Sequence, residues 1–204
     1  LANLIPCFYQ ATEGTVFLFG RDVTTFSRDE LRKRIGIVPQ KAILFNGSVR
    51  ENMKWRKDNA SDEEIISALK IAQAWDFIRK TPDGLDTIIS QGGKNLSGGQ
   101  KQRISIARAL VGNPDIVILD DSTSALDYKT DLEFRKALRE SLPNTTIIVV
   151  SQRTTSLTEA NNIIVMDDGE AVGIGKHEEL IQNCPVYSEI YRSQMSQKEE
   201  KANA

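Results

Sequence analysis

Apolar and polar positions alternate between strand-like and helix-like spacing in the first part of the chain. A strand bounded by glycines is predicted over 14–20. The run Ser27–Glu30 is a capping box, in which a serine and a glutamate three positions later satisfy the first amide groups of a helix. That helix should end before Gly36, and the β-branched run Ile35–Val38 then predicts a buried strand that ends at Pro39.

From residue 41 to residue 113 strand-like runs nearly vanish, and apolar residues recur at helical spacing. Ser61–Glu64 is another capping box at the start of such a stretch. A further helix is predicted over 100–111, and the stop Gly112-Asn113-Pro114 ends it. We therefore expect residues 41–113 to form an inserted helical subdomain.

The following part of the chain alternates strand, helix and strand. The predicted elements are the strand Ile116–Leu119, the helix Thr130–Ser141 and the strand Thr145–Val150. This rhythm is typical of a parallel sheet covered by helices. The sequence therefore predicts a single α/β domain whose core is formed by residues 1–40 and 114–192.

The C-terminal part is predicted to close the domain with a hairpin and short helices. The predicted strands and helices lie over 163–166, 171–172, 178–183 and 186–193. Asp167-Asp168-Gly169 would form the turn of the hairpin. Residues 193–204 are expected to be a frayed polar tail.

Composition narrows the class of protein. Of 204 residues, 40% are hydrophobic and 26% are charged, as in ordinary globular domains. A net charge of -2 provides no field for gripping a nucleic-acid backbone, so no nucleic-acid partner is expected. The apolar runs are far shorter than the roughly 18–20 residues that cross a bilayer. The start at Leu1, without an initiator Met or a leader, predicts the interior of a longer protein, and two distant cysteines favour a reducing compartment.

The pentapeptide Leu96–Gln100 stands where a loop enters a helix. Ser97 can cap that helix, and Gln100 can complete a capping box with it. Gly98 and Gly99 leave backbone N–H groups uncovered at the positive end of the helix dipole. Such a terminus can hold a phosphate. The alternative from these residues alone is an ordinary glycine-rich turn with a good cap.

Two carboxylates, Asp120 and Asp121, follow the apolar run Ile116–Leu119. At the end of a buried parallel strand a carboxylate lies at the edge of the sheet where ligands of α/β domains bind. Asp120 is then placed to hold Mg²⁺, and Asp121 to orient an attacking water. Alternatively, these two acids cap the next helix.

Together these motifs make the chain similar to the nucleotide-binding domain of an ATP-binding cassette (ABC) transporter of the exporter type. The resemblance covers residues 1–180 in order and spacing. The matching segments are the signature motif Leu96–Gln100, the Walker B strand Ile116–Asp120, the D-loop Ser124–Asp127, the Q-loop glutamine Gln40 and the exporter stretch Leu44–Asn52.

The resemblance implies a P-loop NTPase-like (RecA-like) parallel sheet with an inserted α-helical subdomain, and ATP and Mg²⁺ as ligands. It places the ATP between two such domains packed head to tail. The residues implied at ATP or its metal are Gln40, Ser97, Gly98, Gly99, Gln100, Asp120 and Asp127. Among these, Gln40 and Asp120 are implied at the Mg²⁺ ion.

The family also implies partners. A second nucleotide-binding domain would complete the ATP site, and the coupling helices of a transmembrane domain would meet the helical subdomain and residues 89–95. The chain would then lie at the cytoplasmic face of the cell membrane, attached through a transmembrane domain that this chain does not contain.

The first departure from the family pattern is the missing phosphate loop. No glycine-rich loop ending in Gly-Lys-Ser or Gly-Lys-Thr occurs in the chain, so the cradle for the β- and γ-phosphates is absent. Leu1–Ile5 resembles the helix that follows this loop, which predicts a fold truncated at its N-terminal part. Phe8 and Tyr9 are expected to pack in the core rather than to stack on adenine.

Two further departures fall on residues with catalytic roles. Asp121 stands where the family has Glu, and one methylene fewer draws the carboxylate back by roughly an ångström. Gln152 stands where the switch His is expected, and an amide cannot become positively charged or carry a proton. The lone histidine, His177, matches a downstream segment and is expected at the start of a helix.

These features predict an ATPase domain that powers export of a substrate across a membrane. Its own hydrolytic site would be degenerate, as in one half of a heterodimeric exporter, and its signature motif would complete the site of the partner. The alternatives are a non-catalytic subunit that clamps ATP and transmits closure, and a soluble ABC protein outside transport. This chain alone is expected to be inactive.

Overall fold

The structure is a computed structural model that describes the backbone of residues 1–202 and the side chains as far as residue 196. Two compact units make up the chain, Leu1–Val150 and Ser151–Ala204. The predicted boundaries between core and helical subdomain, at residues 40 and 113, differ from this division and stay a prediction.

Helices and short strands alternate in the first unit. They are β1 (Phe17–Leu18), β2 (Arg21–Asp22), α1 (Arg28–Arg34), β3 (Ile35–Val38), β4 (Gly47–Ser48), α2 (Val49–Lys54), α3 (Asp62–Ile71), α4 (Trp75–Ile78), β5 (Ile88–Ile89), α5 (Gly98–Leu110), β6 (Ile116–Asp120), α6 (Tyr128–Ser141) and β7 (Thr146–Val150). Single 3-10 turns lie at Ala2–Leu4, Val23–Thr25, Gly84–Asp86 and Gln91–Gly93.

Serine capping boxes begin several of these helices. Ser27 and Ser61 cap α1 and α3 as predicted, each accepting from the amide of the glutamate three positions on. Ser48 caps α2 in the same way, although this box was not predicted. Local polar side chains therefore define where the helices start.

The central sheet of the first unit is parallel. Its strand order is β3-β6-β7, with Ile35 opposite Ile116 and Ile116 opposite Thr146. In the middle strand β6 every residue from Ile116 to Leu119 is buried. Helices packed on a parallel sheet confirm the predicted α/β class.

Close backbone contact anchors α5 to this sheet. A Cβ atom on Gly36 of β3 would lie 2.3 Å from the carbonyl oxygen of Ala109 and 3.2 Å from Pro114. Only glycine allows this approach, since real Cβ atoms do not come so near to a backbone oxygen. The helix that carries the predicted signature motif is therefore fixed against β3.

Three predictions for the N-terminal part are wrong. The strand over 14–20 is reduced to β1, because the chain turns at Phe19 and Gly20 with positive φ values of 51° and 75° and returns as β2. The Leu1–Ile5 segment forms only the single 3-10 turn. Phe8 and Tyr9 do not pack in the core, since 63% and 68% of their surfaces are exposed.

The second unit contains a hairpin and two helices. They are β8 (Ile163–Asp167), β9 (Glu170–Gly175), α7 (His177–Asn183) and α8 (Pro185–Ala202). The predicted turn is present, with positive φ at Asp168 and Gly169. The frayed tail predicted from residue 193 is wrong as far as Ala202, because α8 continues to that residue; residues 203 and 204 lie outside the described part.

A small apolar cluster forms the core of the second unit. The hairpin buries Ile163 and Val165 against Leu180, Cys184 and Tyr187 of the two helices. Within residues 1–202, no helix combines the length and the apolar character that a membrane span requires.

Candidate functional site

The end of β6 presents the two acidic residues at the edge of the sheet. Asp120 is the last strand residue, and Asp121 follows with a positive φ of 43°. The Asp121 N–H donates to the Val150 carbonyl at 2.8 Å, and its own carbonyl accepts from the Ser124 hydroxyl at 2.9 Å. Neither acid caps a helix, because the next helix is capped by Asp127. The capping alternative is therefore wrong.

Gln40 and Asp121 are in direct contact. The amide Nε2 of Gln40 donates to Oδ2 of Asp121 at 3.1 Å. An ionised carboxylate only accepts, so the amide nitrogen must face it. The Oε1 atom of Gln40 is then turned away from Asp121 and can serve as a ligand.

The donor set at this edge suits Mg²⁺. Asp120 offers a carboxylate and Gln40 an amide oxygen, and Mg²⁺ is ordinarily held by one or two protein oxygens together with phosphate oxygens and water. No group of three or more potential metal ligands of the His, Cys, Asp and Glu types occurs in the part of the chain that the structure describes. Asp120 and Gln40 provide two oxygen ligands, a number that Mg²⁺ ordinarily takes from a protein.

The predicted signature motif forms the N-terminus of α5. Ser97 Oγ accepts from the Gln100 N–H at 3.2 Å, and Gln100 Oε1 accepts from the Ser97 N–H at 2.9 Å. The Ser97 hydroxyl keeps its own hydrogen for a ligand. Each side chain thus accepts from the backbone N–H of the other residue, and among the described residues neither of these bonds reaches Gln40 or Asp120.

Gly98 is not required by the packing of this chain. A Cβ atom placed there would meet nothing within 4 Å in the described part of the chain, and the φ of Gly98 lies outside the left-handed region. The same atom on Gly99 would come only to 3.4 Å of the Ala125 carbonyl. The first N–H groups of a 13-residue helix are thus open to an anion approaching from outside.

Asp127, predicted at ATP, has a structural task in this chain. Its carboxylate caps α6, accepting from the Thr130 N–H at 3.0 Å and from the Thr130 hydroxyl at 2.7 Å. The backbone bond and then the hydroxyl bond lower the pKa of Asp127, and the nearby Arg103 guanidinium adds to the effect. Its role at ATP stays a prediction.

Helix α5 lies between the two loops of the candidate site. At its start Gly99 faces Ala125 of the predicted D-loop, as the short Cβ distance shows. Further along, the buried Gln102 brings its Nε2 to 3.5 Å of the Pro39 carbonyl, next to Gln40. A movement of α5 would therefore change its contacts with both loops.

Gln152 belongs to the second unit. Its side chain is exposed, and its carbonyl accepts from Nε2 of Gln194 at 2.7 Å. His177 is the first residue of α7, as predicted, and its Nδ1 lies 2.9 Å from the Tyr187 hydroxyl. This contact ties α7 to α8 and gives the histidine a structural role.

An aromatic surface was not anticipated as a unit. The rings of Phe45 and Trp55 are stacked, with centroids 4.2 Å apart and 14° between their planes. Arg108 lies over the Phe45 ring and donates to the Ile43 carbonyl at 2.9 Å, while its buried Nη1 has no hydrogen-bond partner in the described structure. Trp55 and Ile43 are 66% and 56% exposed. An exposed tryptophan close to Leu44–Asn52 is the signal that could have found this surface.

Comparisons with known proteins agree on one family. The family model described as ABC transporter matches residues 1–124. The chain is 44% identical over 194 residues to the uncharacterized ABC transporter ATP-binding protein YfiB of Bacillus subtilis, covering 95% of this chain and 34% of that protein. It is 42% identical to an ATP-dependent lipid A-core flippase of Desulfotalea psychrophila, with the same coverage.

A solved structure shares the fold. The structure of a bacterial Atm1-family ABC exporter with ATP bound superposes with a TM-score of 0.90 at 36% identity, covering 95% of this chain and 34% of that one. This likeness confirms the predicted P-loop NTPase-like fold. The chain thus spans about a third of the length of the relatives that it matches.

Proposed function

This chain belongs to the ABC transporter family, and on that premise we propose that it binds and hydrolyses ATP to power export of a substrate across a membrane. The observation that carries the proposal is the hydrogen bond between Gln40 and Asp121 at the end of β6. It brings together the two side chains that would face the metal and the attacking water.

We assign to Asp121 the task of orienting the attacking water at this chain's own site. Its carboxylate is one methylene shorter than that of Glu, and a misplacement of about an ångström can cost on the order of a hundredfold in rate. The left-handed backbone at this position suits Asp better than longer residues. Slow hydrolysis at this site follows.

Gln152 supports the same assignment. Its exposed amide can donate to the γ-phosphate of ATP, but it cannot take up a proton. When bound, Mg²⁺ would neutralise charge on the phosphates, with Asp120 and Gln40 as its protein ligands. The degenerate site would then hold ATP longer than it cleaves it.

The signature motif would serve a second nucleotide-binding domain. Gly98 and Gly99 leave the start of α5 uncovered, although no contact among the described residues requires a glycine at residue 98. The uncovered N–H groups and the Ser97 hydroxyl would donate to the γ-phosphate of ATP bound on that domain. We infer a heterodimer in which the hydrolytically competent site uses this motif.

The phosphate loop would come from a segment outside these 204 residues. Among the described residues, β7 has a strand partner on one side only, namely β6. Residues 146–150 are half-buried or exposed, whereas β6 is buried. A further parallel strand at this edge, carrying the missing loop, would cover them. The chain alone should then bind nucleotide weakly and hydrolyse none.

The aromatic surface of Ile43, Phe45 and Trp55 would receive a coupling helix of the transmembrane domain. Exposed aromatic rings that are already stacked offer a rigid apolar contact. The buried Nη1 of Arg108 beside them, which has no partner among the described residues, would donate to an acceptor on that helix. By this attachment the chain would work at the cytoplasmic face of the cell membrane.

A non-catalytic subunit that clamps ATP is the second candidate. The short carboxylate at Asp121 and the amide at Gln152 favour it, since both weaken hydrolysis without removing groups that bind the nucleotide. In that case closure of the dimer, rather than turnover at this site, would be the contribution of this chain.

Steady-state ATPase activity of the complete heterodimer tests these assignments. Asp121→Ala should lower the rate by less than twofold, because most turnover would occur at the competent site. A loss as severe as that from the equivalent change in the other subunit would contradict the asymmetry. The pair Asp121→Glu with Gln152→His should create a second turnover site, and its appearance would show that only these two residues hold hydrolysis back.

Calorimetry with Mg·ATP tests the missing loop directly. In the 204-residue chain we expect binding weaker than about 1 mM, since the phosphate loop carries most phosphate contacts in such folds. Micromolar affinity would show that another segment replaces the loop.

A further inference from the structure

The side-chain amide of Gln194 uses both of its ends on one short segment of the second unit. Its Oε1 accepts from the Thr154 N–H and from the Thr154 hydroxyl, each at 3.0 Å. Its Nε2 donates to the Gln152 carbonyl at 2.7 Å. The Gln194 side chain of helix α8 therefore holds residues 152–154, here called the switch segment, by three hydrogen bonds.

The orientation of this amide is determined by its partners. A backbone carbonyl only accepts, so Nε2 must face Gln152, and an N–H only donates, so Oε1 must face Thr154. Thr154 is 4% exposed, which shields these bonds from water. A glutamate at residue 194 could still accept from Thr154 but would place a carboxylate oxygen against the Gln152 carbonyl.

The three hydrogen bonds of Gln194, here called the clamp, fix the backbone of the switch segment. They leave the side chain of Gln152 exposed. The side chains of Gln152 and Arg153 are exposed, whereas the backbone on either side of Arg153 is bonded to Gln194. The Arg153 N–H also donates to the Ser151 hydroxyl at 3.0 Å. A side chain that extends from a fixed backbone loses less freedom when it binds a ligand.

We propose that Gln194 is a positioning residue that aims Gln152 at the γ-phosphate of ATP, which gives the C-terminal helix control over the preference of this site for ATP over ADP. This inference rests on the role proposed above for Gln152. A purely structural role for Gln194 would instead stabilise the second unit without changing that preference.

Hydrogen exchange in the 204-residue chain tests the clamp. Gln194→Ala should speed exchange of the Thr154 amide at least tenfold, because its acceptor is removed. Gln194→Glu should leave that amide protected. Gln182→Ala is the matched control, an exposed glutamine on α7, and should change nothing. Unchanged exchange at Thr154 in Gln194→Ala would overturn the clamp.

The ATP-to-ADP affinity ratio of the complete transporter tests the positioning role. Gln152→Ala should lower the ratio about tenfold, the effect of one lost hydrogen bond to a charged group. Gln194→Ala and Gln194→Glu should each lower it about threefold or more by the same route, with ADP affinity within twofold of wild type. If the affinity for ADP falls by the same factor as the affinity for ATP, Gln194 has a structural role only.

The double variant separates the two proposals. If Gln194 acts through Gln152, then Gln152→Ala with Gln194→Ala should lower the ratio no further than Gln152→Ala alone. Additive losses would overturn the positioning role of Gln194 while the function of Gln152 stands. An unchanged ratio in Gln152→Ala would overturn the role proposed for Gln152, and this inference with it.

Discussion

Gln40 and Asp121 stand 81 positions apart in the chain and are joined by a 3.1 Å hydrogen bond from the amide of one to the carboxylate of the other. The bond connects the loop after β3 to the end of β6. Because the amide nitrogen is used by Asp121, the amide oxygen of the same side chain is the part left for Mg²⁺. If Gln40 binds Mg²⁺ as proposed, metal binding and the orientation of the carboxylate would both depend on this residue.

Removing this side chain should weaken the response to Mg²⁺. In the complete transporter we expect Gln40→Ala to raise the Mg²⁺ concentration for half-maximal ATP binding about tenfold, because one oxygen ligand is lost. Gln40→Glu should restore metal binding in part, but it places a second negative charge beside Asp121. Gln10→Ala, an exposed glutamine in the same unit, is the control. An unchanged Mg²⁺ dependence in Gln40→Ala would exclude Gln40 as a ligand.

Gly36 and Gly98 should respond in opposite ways to the same substitution. Gly36→Ala forces a Cβ atom against the Ala109 carbonyl and should lower the free energy of unfolding by about 2–3 kcal/mol. Gly98→Ala meets open space at the start of a helix and should leave that free energy unchanged or raise it by up to about 1 kcal/mol. Urea titration of the chain measures both.

The activity of the complete transporter should nonetheless be sensitive to a substitution of Gly98. If the start of α5 faces ATP on a second domain, the added methyl group would keep the phosphate away, and turnover of the complete transporter should fall by about tenfold or more. Full activity with full stability in Gly98→Ala would contradict the role proposed for the signature motif.

Local signals explain why much of the fold was predictable. The boxes at Ser27, Ser61 and Ser97 mark helix starts within four residues, and the β-branched run at Ile116 favours a buried strand. The strand at Ile116 ends at the predicted Walker B acids, and Ser97 begins the helix of the signature motif. The family resemblance then supplied roles that spacing alone could not.

Contacts between residues far apart in the chain could not be predicted from the sequence. The clamp of Gln194 on Gln152 spans 42 positions and depends on how α8 packs, which no local pattern encodes. The exposure of Phe8 and Tyr9 was missed for a related reason, because aromatic residues are usually covered and nothing local shows which neighbours cover them. Short-range turn geometry at Phe19 likewise overrode an apolar run.

Two serine caps allow stability and function to be separated. Ser97→Ala and Ser61→Ala each remove a side chain that accepts from the third amide of its helix, so each should cost about 1 kcal/mol in the free energy of unfolding. Only Ser97→Ala should also lower the affinity of the complete transporter for ATP, since Ser61 lies at the start of α3. Equal effects on ATP affinity would show that Ser97 acts through stability alone.

Asp127 should make the free energy of unfolding of the first unit depend on pH in the acidic range. Its pKa is lowered in the folded chain, first by the Thr130 N–H and then by the Thr130 hydroxyl. A carboxyl group whose folded pKa lies below its unfolded value of about 3.9 stabilises the fold above that pH. The contribution is lost as pH falls from about 4 through the lower folded pKa.

Asp127→Asn isolates this effect, because Asn caps helices about as well as Asp but does not titrate in this range. At about pH 6 the variant should be close to the wild-type chain or less stable than it. As pH falls below about 4, wild type should lose stability relative to the variant, because only the wild-type carboxylate is protonated. Urea titrations at several pH values measure the difference. A difference that stays constant as pH falls would show that Asp127 does not keep its charge to cap α6.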